Sequence, residues 1–583
     1  MIDPYRMIII NLVTSSVLIL SLLFYRYIFP KKRINLLLLL VIISFLPLIS
    51  ILRKGGYESG DLSSHIQFAM QFYDNLVQGN LLPQWIGNHC SGYGCPAYIF
   101  IFFVSNYLIS ILHLIGFSFI AAAKIVIAIS FILSGVGMYL WIKDEFGEKS
   151  GFTAAIFYLF APYHLIDLHF RVSIGELVSM AILPFIFLTT KRLLETNRFV
   201  FFILTSVLFG LLILSHQVTS LASFPLILLY AYMVWFRKRK NKRTIRTALQ
   251  VLFSYICGLL ITAFYWLPIF IESKYTTYSI QNEITFHHFS DFLYSPILFG
   301  LLFQGHKGEL FTSIGYTEWF VVAFGLYILF KRKVVGQEKV LLTGSVFIFF
   351  ILFTMMQSFT KPIWDTIPII KNFQFSWRLM IESIFAIAIM AAIIVKKYPS
   401  KTFFITLCFI TIAYTFLNWG NRKAVPEIND IVLRSQPIWK DYPGHVDVLT
   451  PKWVDIYKPW IGKEPKKHIE ILNGNAQITK ESRSIERHEY VVQAKTKSVI
   501  KENTYYFPGW EVLVDEKATK IDFENKQYPG IITFNLEKGL HKVELIFTDT
   551  IDRIIGKWIS AITIILLGIV IFFKLLKRFF PKR

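Results

Sequence analysis

Cysteine is scarce: the 583 residues contain four, too few for a disulfide-built scaffold. Cys257 and Cys408 fall inside apolar runs and read as packing residues. Cys90 and Cys95 flank a Gly-rich loop, where a disulfide stays open. No cluster of Cys and His with metal-ligand spacing is visible. Charged residues are sparse as well, at 17%, and acidic ones most of all, with 38 Asp and Glu against 60 Lys and Arg. No internal repeat and no low-complexity linker interrupts the chain. No small-residue cleavage site follows the first apolar run, about Met7 to Phe29, so that run reads as a membrane span and not a removed leader.

What fills the chain is apolar. Hydrophobic residues make up 54% and aromatic residues 17%, with 56 Phe, and the mean hydropathy is +0.52. A soluble chain of this length would divide into several domains with polar linkers. Here the apolar residues gather into repeated runs of roughly 17–23, enough to cross a bilayer core. The net charge of +22 sits at the ends of these runs: Lys31-Lys32-Arg33, Arg237 to Arg246, Lys331-Arg332-Lys333, Lys396-Lys397 and the tail from Lys574 to Arg583. That placement is the signature of cytoplasmic loops, and it argues against nucleic acid as a partner.

Backbone groups in lipid must be satisfied within the segment, so the spans are expected to be helices. They are predicted near 7–29, 34–52, 119–142, 151–168, 174–190, 198–215, 219–236, 248–270, 313–331, 340–357, 378–395, 402–419 and 556–574. If the apolar stretch 98–116 also crossed, the later loops would invert, and Arg237 to Arg246, with seven Lys/Arg, would lie outside. The charge rule therefore predicts that 98–116 lies along the outer surface or re-enters, as its Ser105, Asn106, Ser110 and His113 suit.

This threading predicts a multi-pass protein of the cytoplasmic membrane with a cytoplasmic C-terminus. It leaves outer segments at 53–97, 271–312, 358–377 and 420–555. The last is too long for a loop. Glu511 to Val514 followed by Asp515-Glu516-Lys517 reads as strand and turn. Ile531 to Leu536, Lys538-Gly539 and His541 to Phe547 read as a hairpin, because Val543, Leu545 and Phe547 alternate with Lys542 and Glu544. The expected architecture is a polytopic α-helical membrane protein of about 13 spans. Residues 1–419 form its membrane part, with an outer loop at 53–118. A small extracytoplasmic β-sandwich-like domain occupies 420–555, and 556–583 form the last span and a basic tail.

Ionisable groups at membrane depth are candidates for function. The first outer segment holds Glu58, Asp61 and His65, and a helix with an apolar stripe at Phe68, Ala69, Phe72, Leu76 and Val77 is expected after them. Asp61 also suits a capping position, which is the structural alternative. Between the spans at 151–168 and 174–190 lie Tyr163, His164, Asp167, His169, Arg171 and Glu176, and an interfacial salt-bridge cluster is the plainer reading of them. His216 ends a later span, and Arg378 opens another with Glu382 one turn on as an expected partner. His287, His288 and Asp291 complete the outer set.

Several of these residues sit in ordered motifs. Asp61-xxx-His65, Gly79-Asn80-Leu81-Leu82-Pro83-Gln84-Trp85 and Gly92-Tyr93-Gly94-Cys95-Pro96 come first. Ala161-Pro162-Tyr163, Arg171 with Gly175-Glu176, Leu214-Ser215-His216 and Phe375-Ser376-Trp377-Arg378 follow. In that order they resemble bacterial 6-pyruvoyl-tetrahydropterin synthase-related membrane proteins, which look like members of the GT-C glycosyltransferase superfamily. Tyr506-Phe507-Pro508-Gly509-Trp510 with Gly539-Leu540-His541-Lys542-Val543 resembles the outer domain of lipoteichoic-acid glycosylation proteins. No pterin or zinc site is visible in the sequence. Many GT-C enzymes carry adjacent acidic residues in the first outer loop, whereas Glu58 and Asp61 are separated by two residues.

The resemblance implies an inverting transferase moving a hexosyl or pentosyl unit from a polyprenyl-phosphate donor to a hydroxyl on a glycan, lipid or protein. Asp61 would be the general base. Arg171 and Arg378 would hold the donor phosphate, since guanidinium forks match phosphate oxygens. Glu58, His65, His164, Glu176 and His216 would orient substrate, and Trp85 and Tyr93 would stack on sugar rings. No cofactor is demanded, and a divalent metal stays open. A lipid-linked sugar transporter and a non-catalytic, glycan-binding scaffold are the competing readings. The first lacks inverted repeats and paired broken helices; the second would tolerate loss of Asp61 and Arg171.

Overall fold

The computed structural model describes residues 3–238, 243–277, 313–435 and 449–579, apart from positions 372, 374, 421, 422, 456, 457 and 459–462. His287, His288 and Asp291 lie outside these residues, as do part of the basic segment from Arg237 to Arg246 and the last four residues of the tail.

Apolar runs become helices throughout the described residues. Eight are long and apolar enough to cross a membrane: Arg6–Ile28, Phe119–Phe146, Ile174–Thr196, Gln217–Phe236, Gly336–Met355, Ser376–Lys397, Lys401–Asn418 and Ile551–Lys574. Two further runs are broken. Glu148–Leu159 and Pro162–Arg171 meet at a 50° bend, and Ile245–Ile261 and Ala263–Tyr275 at 68°. Counting each bent pair as one span gives ten. The expected thirteen also counted 34–52, 198–215 and 313–331. The helices there, Leu36–Leu48, Phe199–Ser215 and Tyr316–Phe330, have 13, 17 and 15 residues. At about 1.5 Å rise per residue, each is shorter than a hydrocarbon core of about 30 Å. The stretch 98–116 yields Ala97–Phe100 and Phe103–Leu114, of 4 and 12 residues, also too short to cross unaided.

The chain divides into two compact units, each discontinuous in sequence. The first contains Met1–Ile66, Leu108–Leu259 and Thr285–Leu433. Its centre is the helix Met380–Lys397, apolar on all sides and buried from Met380 to Val395, including Glu382 and Ser383. A helix without a polar face belongs inside a bundle. It packs on Glu148–Leu159, Gly336–Met355 and Tyr316–Phe330. Within this unit the short strands β1 (Gly56–Tyr57) and β2 (Ala424–Val425) pair antiparallel.

The second unit contains Gln67–Tyr107, Leu260–Ile284 and Arg434–Arg583. Its strands are β3 (Ile469–Asn473), β4 (Ala476–Arg483), β5 (Arg487–Ala494), β6 (Ser498–Tyr505), β7 (Trp510–Val514), β8 (Lys517–Thr519), β9 (Ile531–Leu536) and β10 (Gly539–Phe547). They form a five-stranded sheet, β4-β5-β10-β7-β8, and a three-stranded sheet, β3-β6-β9. The strands expected at 531–536 and 541–547 are present, but they are not a hairpin. β9 pairs with β6 and β10 pairs with β5 and β7, so the turn at Lys538-Gly539 carries the chain from one sheet to the other. Alternation correctly gave the buried face, Val543, Leu545 and Phe547, yet alternation alone does not choose a pairing partner.

Trp85 and Tyr93, expected to stack on sugars, are core residues of this unit. Trp85 is buried and lies edge-on to Trp510 at 5.3 Å and beside Phe547 at 5.0 Å. Tyr93 stacks on Tyr505 at 4.9 Å. Their ring faces are taken by protein, which removes them as sugar platforms. They fix the segment 84–95 to the sheets instead.

Candidate active site

The site in the first unit grows out of a broken helix. Pro162 lacks the N–H that would continue the run from Glu148–Leu159, and the chain turns there. A single π-turn follows at Asp167–Arg171, a local widening often found at functional sites. Val172 then adopts φ 63° and ψ 57°, in the left-handed region. A β-branched residue there is strained by about 1–3 kcal/mol. The Asp167 Oδ1 accepts the N–H of Ser173 at 2.9 Å and steadies the reversal into the helix Ile174–Thr196. The result sets Arg171 and Glu176 face to face.

Glu176 is fully buried and collects cations. Its Oε2 accepts from Arg171 Nη1 at 2.7 Å and from the Tyr163 hydroxyl at 2.7 Å. Its Oε1 faces Arg378 Nε at 3.4 Å and His216 Nε2 at 3.6 Å. Arg171 Nη1 also donates to the Tyr163 hydroxyl at 2.9 Å, and Asp167 Oδ1 lies 3.9 Å from it. The Asp167 Oδ2 has no hydrogen-bond partner among the described residues. Arg378 therefore meets Glu176, not Glu382 as expected; Glu382 accepts from Ser223 at 2.7 Å. Glu176 itself, expected to orient substrate, has no exposed side-chain surface. It acts as the shared counter-ion that holds two guanidiniums in one place.

The aromatic residues of the Phe375-Ser376-Trp377-Arg378 run complete this holding. Arg171 lies over the Trp377 ring at 4.7 Å, Arg378 over the Phe375 ring at 5.5 Å, and the two rings stack at 4.9 Å. Arg378 Nη1 donates to the Phe373 carbonyl at 3.0 Å. A guanidinium on an aromatic face keeps its charge but loses much of its freedom.

Asp61 arrives by backbone pairing. The N–H groups of Gly60 and Asp61 donate to the carbonyls of Phe170 and Arg171, both at 2.8 Å. A Cβ at Gly60 would stand 3.2 Å from the Arg171 carbonyl oxygen, so the close approach favours glycine. The helix Leu62–Val77 begins next, and it is the Ser59 hydroxyl that accepts the Leu62 N–H, at 3.3 Å. The Asp61 carboxylate is not spent on capping. It keeps 37% of its surface and has Arg171 Nε 4.0 Å from its Oδ2.

The remaining expected residues divide. His65 follows Asp61 by one helical turn, its N–H donating to the Asp61 carbonyl at 3.0 Å. Burial holds its imidazole below the ordinary value, against the opposing pull of Asp61. His216 Nδ1 accepts the Thr219 N–H at 3.2 Å, which leaves the proton on the nitrogen facing Glu176. His164 is buried and makes its contacts elsewhere, with the Tyr158 carbonyl at 2.8 Å and the Phe131 ring at 4.9 Å. Glu58 is exposed, and its N–H donates to the Lys423 carbonyl at 2.8 Å. Among the described residues, Glu58 and Asp61 do not form part of a group able to share a metal; the group that can is His89, Cys90 and Cys95, which lies in the second unit and which sequence spacing did not reveal.

A bundle of membrane-length helices that buries one acid between two arginines, beside a half-exposed aspartate, defines a polytopic membrane protein with a polar site in its helical part. Residues 100–424 match the family model described as 6-pyruvoyl-tetrahydropterin synthase related domain; membrane protein. The match covers more than half of the chain, which belongs to this family. An uncharacterised protein of Lactococcus lactis subsp. cremoris (strain MG1363) is 21% identical over 260 residues, 44% of this chain and 42% of that protein. The chain thus matches less than half the length of that curated relative. Arabinofuranosyltransferase AftD from Mycobacteria is similar over 67% of this chain and 27% of its own, at 13% identity and a TM-score of 0.41. The Archaeoglobus fulgidus oligosaccharyltransferase, solved with zinc and sulfate, is similar over 68% of this chain and 54% of its own, at 13% identity and a TM-score of 0.38.

Proposed function

We propose that the chain is a membrane glycosyltransferase that moves a sugar from a polyprenyl-phosphate donor to an acceptor hydroxyl at the outer face of the cytoplasmic membrane. The observation that carries this reading is the half-exposed Asp61 carboxylate 4.0 Å from Arg171, with Arg171 and Arg378 both fixed by the buried Glu176. The resemblance of the ordered motifs to 6-pyruvoyl-tetrahydropterin synthase-related membrane proteins, which look like GT-C members, supports the donor class.

In the reaction, Asp61 takes the proton of the acceptor hydroxyl as its oxygen attacks the anomeric carbon. The new C–O bond forms while the bond to the donor phosphate breaks, and the polyprenyl phosphate leaves with the electron pair. Attack opposite the leaving group inverts the anomeric centre. Negative charge grows on the departing phosphate, and the two guanidiniums meet it already oriented. Arg171 also lies 3.9 Å from Asp167 and 4.0 Å from Asp61, so the guanidiniums serve the phosphate by their fixed orientation and not by a surplus of positive charge. His65, one helical turn after Asp61, orients the substrate beside it. The acceptor is a glycan, lipid or protein hydroxyl.

Membranes with and without the protein, given a panel of radiolabelled prenyl-phosphate sugars, test the proposal. Protein-dependent transfer from one donor is expected. Absence of label transfer from every hexosyl and pentosyl donor, with folded protein present, would refute it.

A further inference from the structure

We infer that His89, Cys90 and Cys95 form a binding site for a thiophilic cation of the Zn2+ or Cu+ type. The imidazole and two sulfur atoms all lie within 4.8 Å of one another. A zinc ion takes sulfur at about 2.3 Å and imidazole nitrogen at about 2.0–2.1 Å, so ligand atoms in a tetrahedral or trigonal site stand about 3.5–4.0 Å apart. Side-chain torsions that close this trio by up to about 1 Å bring it to bonding distance. His89 and Cys95 are buried, Cys90 is partly covered, and neither cysteine is in a disulfide.

The loop is built for this convergence. Ile86 and Cys95 exchange backbone hydrogen bonds at 2.9 and 3.0 Å, closing the loop at its base. The His89 carbonyl accepts from Gly92 at 3.2 Å and Gly94 at 3.0 Å. Four of the residues between His89 and Cys95 have left-handed φ: Cys90 at 52°, Ser91 at 58°, Gly92 at 82° and Gly94 at 76°. Two of them carry side chains, and strain of this kind persists where a site requires it. Trp85 closes the other side, with its Nε1 only 2.5 Å from where a Cβ on Gly94 would stand. Phe68 lies edge-on to the His89 ring at 5.4 Å. Such an apolar wall keeps water from a thiolate site and orients its imidazole.

Three protein ligands satisfy Cu+ in a trigonal site, or Zn2+ with one exogenous ligand. The bound ion pins the loop against β6, where the Tyr93 carbonyl already accepts the Tyr505 N–H at 3.0 Å. The site lies outside the family match at 100–424, and it stands independently of the sugar-transfer reading.

The test uses the full chain in detergent, purified under reducing conditions without chelator. Elemental analysis should find about one equivalent of zinc or copper per chain. The stripped protein should develop thiolate-to-cobalt charge-transfer absorption on adding Co2+. Cys90→Ser and Cys95→Ser should each weaken binding at least tenfold, and maleimide should label both cysteines faster after chelation. Cys95 is the more buried, so if its variant does not fold, Cys90→Ser and the wild-type cobalt spectrum decide. Absence of the cobalt band, equal metal content in wild type and Cys90→Ser, or a Cys90–Cys95 disulfide in the native protein would overturn the inference.

Discussion

Two buried carboxylate–arginine groups occupy the two units, and they are built differently. In the second unit, Glu272 and Arg553 are each 1% exposed and meet through three bonds of 2.8–3.1 Å. Every side of that guanidinium is used: Gln84 at 3.0 Å, the Thr548 carbonyl at 3.2 Å and the Pro508 carbonyl at 2.7 Å accept from it. Thr550 donates to the carboxylate at 2.7 Å. That is a closed pair, one cation to one anion, and it fastens chain segments far apart in sequence. Around Glu176 the arrangement is open: two guanidiniums share that acid, Arg171 also faces Asp167 at 3.9 Å and Asp61 at 4.0 Å, Val172 is strained beside them, and Asp61 stays half-exposed. A group meant only to hold a fold closes its polar valences. One that keeps a carboxylate open beside a fixed guanidinium is a candidate to meet a substrate.

Substitutions can break this contrast. The largest effect on transfer is expected from Asp61→Asn: loss of a general base costs about 10²–10⁴-fold in kcat, with the protein still folded and inserted. Arg553→Met should do the opposite. Leaving Glu272 buried without its partner costs about 3–5 kcal/mol of stability, read as a lower melting temperature and a lower yield, with unchanged transfer per folded molecule. Arg171→Ala should weaken donor use more than acceptor use, by about tenfold or more for a lost charged hydrogen bond of ~1.5–3 kcal/mol. An unchanged response to lipid donor concentration would contradict that role. The smallest effect is expected from Val172→Gly, which relieves about 1 kcal/mol of backbone strain and is offset by the chain entropy of glycine. Its melting temperature should stay within a few degrees of wild type.

Much of this was legible in the sequence, and the failures have physical causes. Run length and charge placement gave the helices, because lipid imposes one solution on the backbone. The expected thirteen exceed the ten helices and bent pairs of membrane length at 34–52, 198–215 and 313–331, where the helices have 13 to 17 residues. Asp61, Arg171, Glu176 and Arg378 stood out by residue type, since charge is costly at that depth. Their division of labour did not, because the π-turn and the left-handed Val172 leave no periodic trace. Glu272 and Arg553 are 281 positions apart, and neither signals the other. His89, Cys90 and Cys95 escaped notice because two adjacent ligands and a third five residues on match no common zinc spacing. Trp85 and Tyr93 were misassigned because an aromatic residue in a loop reads alike whether it faces a ligand or a neighbouring sheet.

The most direct measurement compares wild type with Asp61→Asn, at equal amounts of folded protein in the same membranes, in a single-turnover assay with the active labelled prenyl-phosphate sugar. The account predicts that the variant still binds donor and transfers at least a hundredfold more slowly. Transfer by the variant at the wild-type rate would contradict it.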